Sequence, residues 1–185
     1  MYKRQLLGGT PHADNVGPAL LGGVVLVRGY RPFDIVRLPV PDNFFYAVAH
    51  PDIVVGTKEA REVLPREIPM AHAVTQWGNV GGLVAGLALG DVALIGRSMH
   101  DVVAEPYRKG FIPGYDRLKE EVLSEGALAM NIAGSGPSVF ALASNYEAAV
   151  RISGEMKRHF EGLGIGCNSY AGRVSTVSYT HLTLP

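Results

Sequence analysis

Residues 131–140, NIAGSGPSVF, set the strictest limit on what this chain can fold into. Gly134, Ser135, Gly136, Pro137 and Ser138 form a loop between two apolar runs of β type. Two glycines one residue apart let a backbone turn sharply and come close to a ligand, because neither carries a Cβ. A row of backbone N–H groups in such a turn can cup an anion. The loop therefore asks for a strand on each side and points to a small-molecule site where the two strands meet.

The rest of the chain supplies partners for those strands. Residues 22–28 and 34–38 are β-branched runs separated by Tyr30, Arg31 and Pro32, and they predict a hairpin. Residues 44–49 predict a third strand, apolar enough to be buried on both faces. Thr57 is placed to N-cap a short helix running to Val63, which Leu64-Pro65 ends. Over 70–89, apolar side chains at 70, 74, 77, 80, 84 and 87 make one helical face, with Trp77 assigned to the core. Gly78, Gly81, Gly82 and Gly86 weaken that helix in isolation and suggest close packing against a neighbour.

A second helix is expected over 91–103 and an amphipathic one over 115–125, stopped by Gly126. Strands over 127–132 and 138–143 flank the glycine loop. A helix opened by Asn145 runs over 145–161, and residues 165–170 form a last strand, with Cys167 in a structural role. From residue 44 the order is β, several helices, β, β, α, β. That is an α+β, ferredoxin-like split βαβ plan with helices added in the first crossover.

Composition narrows the function classes. Of 185 residues, 47% are hydrophobic and 18% charged, so a packed core is expected rather than disorder. Net charge is zero, which argues against nucleic acid or an anionic membrane as partner. No apolar run approaches the roughly 18 residues of a membrane span, and the N-terminus lacks the pattern of a secretory signal. Cys167 is the single cysteine, so no intrachain disulfide can form, and a reducing compartment, the cytoplasm, is the expected home.

The two ends have a different character. Residues 177–185, VSYTHLTLP, correspond to a translated sequencing adapter of the transposase type, and MYKRQ resembles the reverse strand of the same adapter. Residues 1–5 and 177–185 are therefore expected to be scars. Without them, acidic side chains outnumber basic ones by two. On this reading residues 6–43 are a remnant of an N-terminal domain, and residues 44–176 are a C-terminal domain of a longer protein.

Four segments carry polar groups that a plain core does not need. They are His12-Ala13-Asp14-Asn15; Thr57-Lys58-Glu59-Ala60-Arg61 with Leu64-Pro65; Glu105-Pro106-Tyr107-Arg108 with Ile112-Pro113-Gly114; and the glycine loop. Each alone has an ordinary structural use. Together, in this order, they resemble the homoserine kinase family, within the superfamily of small-metabolite kinases that includes galactokinase, mevalonate kinase and phosphomevalonate kinase. The resemblance spans essentially all of residues 8–174.

The resemblance implies phosphoryl transfer from ATP to the hydroxyl of L-homoserine, on the route to threonine. By position it assigns Arg61 and Arg108 to the amino acid's carboxylate, a role that suits a planar, permanently charged guanidinium. It places Asn15 near the reacting hydroxyl, His12 in the same pocket and Gly134 against the substrate or the phosphoryl group. Ser135, Gly136 and Ser138 are the further candidate donors of the loop. No catalytic base is assigned, since phosphoryl transfer rests mainly on positioning and charge neutralisation.

The superfamily's Pro-x-x-x-Gly-Leu-Gly-Ser-Ser nucleotide loop does not occur in this chain. ATP and Mg²⁺ are therefore expected to be held mainly by residues upstream, no metal ligand is assigned here, and the fragment is expected to be inactive alone. A homodimer is compatible with the resemblance. A sibling kinase of the mevalonate type and a non-catalytic amino-acid-binding regulatory domain stay open as alternatives.

Overall fold

The computed structural model describes residues 13–177, which separate into two compact units. The smaller unit contains the described residues up to Val40 together with those from Val174 onward; the larger is Pro41–Arg173.

In the smaller unit, helix α1 (Val16–Leu21) precedes strands β1 (Val24–Tyr30) and β2 (Phe33–Leu38), which pair antiparallel. The hairpin is the one expected. Helix α1 was not anticipated as an element. Gly17 is buried there, and a Cβ at this position would lie 2.9 Å from the Ile35 side chain, so a glycine lets the helix rest on the hairpin.

In the larger unit, strand β3 (Phe45–Pro51) is followed by helices α2 (Glu59–Glu62), α3 (Met70–Leu89), α4 (Val92–Ser98), α5 (Glu105–Arg108) and α6 (Tyr115–Ser124). Strands β4 (Ala129–Ile132) and β5 (Val139–Ala143), helix α7 (Tyr146–Gly162) and strand β6 (Cys167–Arg173) complete it. The sheet order is β4-β5-β3-β6 with every neighbouring pair antiparallel. Strand β5 thus lies between β3 and β4, which run in the same direction across a long helical crossover. This is the split βαβ arrangement that the element order predicted.

Helix α7 covers the sheet with a stripe of Ala148, Ala149, Ile152, Met156 and Phe160, spaced three and four apart and fully or almost fully buried. Leu118 and Val122 of α6 join Met130, Val139 and Phe160 in the same core. Each large apolar side chain buried in this way contributes about 1.5–3 kcal/mol. Helices α7 and α4 begin on a side-chain cap: the Asn145 side chain accepts from Ala148 N at 2.8 Å and Asp91 accepts from Leu94 N at 2.8 Å.

Four expectations need correction. Thr57 does not cap α2, which is a single turn entered from Lys58 without a side-chain cap. Strand β3 is not buried evenly on both faces; Ala47, Ala49 and Pro51 are buried, while the residues between them are only partly covered or exposed. The helix expected over 91–103 stops at Ser98; beyond it Val102 N donates to Gln76 Oε1, and the N–H groups of Val103, Ala104 and Glu105 donate to the Asp101 carboxylate instead of continuing the helix.

The fourth correction concerns α3. Trp77 is 65% exposed, and Met70, Val74 and Val80 are exposed with it. The residues α3 buries are Ala73, Gly86 and Leu87, so of the expected face only its C-terminal end turns inward. A Cβ on Gly82 would meet the Ser98 hydroxyl and one on Gly86 would lie 2.8 Å from Ile95, so these two glycines let α4 pack closely. Gly78 and Gly81 face open space.

Candidate functional site

The glycine loop sits at the end of the β4–β5 hairpin. Ala133 N donates to Ser138 O at 2.8 Å and Gly136 N donates to Ala133 O at 3.0 Å, which closes the turn. Gly134 and Gly136 have φ of +60° and +85°, a region where side chains are strained. The N–H groups of Gly134 and Ser135 have no acceptor among the described residues, so they remain available to a ligand.

Arg108, at the end of α5, reaches this loop. Its Nη1 donates to Gly134 O at 2.9 Å and its Nε donates to Ala60 O at 3.1 Å. Ala60 belongs to α2 and adjoins Arg61, whose side chain is exposed. Three of the segments singled out in the sequence therefore converge on one guanidinium. Both its partners are neutral carbonyls, and among the described residues Arg108 makes no ion pair. Two of its five N–H donors are engaged.

A cavity of about 30 Å³, room for one or two waters, lies at this junction between Asp101, Ala104, Glu105, Arg108, Asn131, Ile132 and Gly134. A metabolite-sized ligand would have to lie mostly outside it. Behind the cavity, buried Glu105 pairs with Lys119. Glu105 Oε2 and Asn131 Oδ1 are buried without a donor among the described residues, so this wall is rich in acceptors. Tyr115 stays protonated beside it: burial, then the Glu105 charge, raises its phenol.

The other expected site residues are placed differently. Ser138 directs its hydroxyl to His50 Nδ1 at 2.7 Å instead of into the loop. His50, at the end of β3, is a neighbour the sequence reading passed over, since one histidine after an apolar strand carries no signal of its own. Ser135 is half-buried beside Gly134. Asn15 belongs to the smaller unit, where its side chain makes no cap for α1 and is exposed. His12 lies outside the described residues.

The EPxR motif and its trailing Ile112-Pro113-Gly114 now have separate uses. Pro106 opens the single turn that ends on Arg108. Gly114 starts α6 at φ +70°, where a Cβ would lie 2.5 Å from His159 Nε2. Among the described residues no group of three or more His, Cys, Asp or Glu is placed to hold a metal, and no helix is long and apolar enough to cross a membrane.

The chain is similar in sequence and fold to known proteins. Residues 83–162 match the family described as GHMP kinases C terminal. The chain is 49% identical over 155 residues to a homoserine kinase of Chlorobium phaeobacteroides (strain BS1), covering 84% of this chain and 48% of that protein. A crystal structure of homoserine kinase from Cytophaga hutchinsonii superimposes with a TM-score of 0.88 at 52% identity, covering 91% of this chain and 53% of that one. A mevalonate kinase from L. major shares the fold at a TM-score of 0.65 and 16% identity, over 91% of this chain and 54% of that one. The chain spans about half the length of the curated relatives it matches.

Proposed function

We propose that this chain, which carries a GHMP kinase C-terminal domain, is the C-terminal part of a homoserine kinase. The full-length enzyme transfers the γ-phosphoryl group of ATP to the side-chain hydroxyl of L-homoserine. A new P–O bond forms to that hydroxyl oxygen, the bond to the β-phosphate bridge breaks, and the hydroxyl proton is released.

The observation that carries this reading is Arg108. It is anchored on two carbonyl oxygens and paired with no carboxylate among the described residues, which is how a guanidinium is kept ready for an anionic ligand. With Arg61 it grips the amino acid's carboxylate, and the Gly134–Ser135 backbone N–H groups contact the substrate or the group in transfer. The resemblance assigns Asn15 and His12 to acceptor binding as well. Positioning of this kind accounts for most of the catalysis open to a phosphoryl transferase.

ATP and Mg²⁺ are held mainly by the part of the enzyme outside this chain. Assembly as a homodimer and residence in the cytoplasm belong to the same proposal.

The test is ADP release by the full-length protein carrying this chain, with L-homoserine, mevalonate and shikimate as acceptors. The proposal expects turnover on homoserine at a kcat/KM at least about a hundredfold above the others, since a hydrogen-bonding site rejects acceptors that leave its polar groups unpaired. Preference for mevalonate or shikimate overturns the acceptor assignment. Homoserine-dependent ADP release by this chain alone overturns the division between the two halves.

A further inference from the structure

We infer that Asp101 is a positioning residue of the amino-acid site, acting through Arg108. The inference rests on the role proposed for Arg108 above. Helix α5 is only four residues long, and a single isolated turn does not hold itself together in water. Its start is fixed from outside. The Asp101 carboxylate accepts from Val103 N at 2.8 Å and Ala104 N at 2.9 Å through Oδ1, and from Glu105 N at 3.2 Å through Oδ2.

Ala104, held by its N–H, in turn accepts from Arg108 N through its carbonyl at 3.0 Å. Arg108 then reaches Ala60 O and Gly134 O. The loop that carries Asp101 is itself tied to α3: Asn79 Nδ2 donates to His100 O at 2.6 Å, and Val102 N donates to Gln76 Oε1 at 3.1 Å. One path of hydrogen bonds therefore runs from α3 through Asp101 to Arg108, α2 and the glycine loop. Asp101 also borders the same small cavity as Arg108 and Gly134.

Without the three bonds to Asp101, α5 loses its fixed N-terminus and Arg108 occupies its place over Gly134 for a smaller fraction of the time. Apparent affinity for the amino acid falls by that fraction. Loss of a side-chain cap of this kind corresponds to about a tenfold change in an equilibrium constant. The effect should fall on the acceptor and spare ATP.

The test is a double-mutant cycle in the full-length enzyme with Asp101→Ala, Arg108→Ala and the pair. Asp101→Ala is expected to raise the KM for the acceptor about tenfold, with kcat and the KM for ATP within about threefold of wild type. Added to Arg108→Ala, it should cost little more, because its route is already cut. Asp101→Asn retains an acceptor for Val103 and Ala104 and should recover most of the affinity. If Asp101→Ala does not fold, Asp101→Asn and Asp101→Ser take its place, with Ser expected to bind the acceptor more weakly than Asn.

An acceptor KM unchanged in folded variants overturns the inference, and so do effects that simply add in the pair. The cycle is run on whichever hydroxylated acceptor the wild-type enzyme phosphorylates. A wrong acceptor therefore shows in the wild type and leaves the Asp101–Arg108 coupling readable.

Discussion

Arg108 donates from Nη1 to the carbonyl oxygen of Gly134 at 2.9 Å, so the end of a one-turn helix and the turn of a β-hairpin hold each other in place. The bond needs the Gly134 carbonyl to point at α5, in a turn where Gly134 holds a positive φ that a residue with a Cβ adopts only under strain.

Replacing Gly134 tests this directly. A Cβ at Gly134 would meet nothing within 4 Å, so the cost of a side chain comes from φ alone. Gly134→Val should lower stability by about 1–3 kcal/mol and cut kcat/KM of the full-length enzyme at least tenfold, as the loop relaxes and withdraws its carbonyl from Arg108. Gly134→Asn, which tolerates left-handed backbone, should lose much less. Thermal denaturation and steady-state kinetics on both variants check the ordering.

Gly114 makes the opposite case, in which space and backbone both forbid a side chain. Its φ is +70° and a Cβ would press on the buried His159 ring. Gly114→Ala should destabilise the full-length enzyme by about 2–4 kcal/mol, a sum of backbone strain and displaced packing, while the KM for the acceptor in the folded fraction stays near normal. Denaturant midpoints measured beside kinetics separate the two effects.

Acid stability should depend on Glu121. Its carboxyl is held below the ordinary value of 4.5 by Arg117 first and then by His159, whose Nδ1 lies 2.7 Å from Oε2. A carboxyl lowered in the folded state adds stability that is present above its unfolded pKa and lost as pH falls through its folded pKa. Stability of the wild type should therefore decline as pH drops below about 4.5, and Glu121→Gln should flatten that part of the curve. Urea unfolding between pH 3 and 7 on the two proteins gives the comparison.

How much of this was legible follows from the kind of signal each residue leaves. Helices α6 and α7 were readable because apolar spacing, caps and a terminating glycine agree, as at Asn145, Leu118, Val122 and Gly126. The α+β order and the glycine loop were readable for the same reason. The orientation of α3 was not. Its apolar residues mark a face, yet Val74 and Trp77 are exposed and only Leu87 of that face is buried, while Gly82 and Gly86 let α4 approach closely. The loop after Ser98 was misread as helix, since Asp101 looks like any helical surface residue until its carboxylate is seen to take three backbone N–H groups.

Motif order singles out Arg61, Arg108 and Gly134 as candidates, and the structure brings Arg108 to Gly134 and to the residue beside Arg61. The carbonyl partners of Arg108 were not legible, because a backbone acceptor leaves no trace in residue identity. The His50–Ser138 bond was hidden for a related reason: it depends on strand register, which sets His50 beside the end of β5.

The most direct measurement is the dependence of the Arg108→Ala effect on the substrate's carboxylate. In the full-length protein carrying this chain, kcat/KM is determined for L-homoserine and for 3-amino-1-propanol, which keeps the hydroxyl and amine and lacks the carboxylate. The account predicts efficient phosphorylation of homoserine by the wild type. It predicts a loss of about 2–5 kcal/mol in Arg108→Ala for homoserine, and a loss at least tenfold smaller in rate ratio for the aminopropanol. Equal losses on the two substrates, or wild-type turnover that ignores the carboxylate, would contradict it.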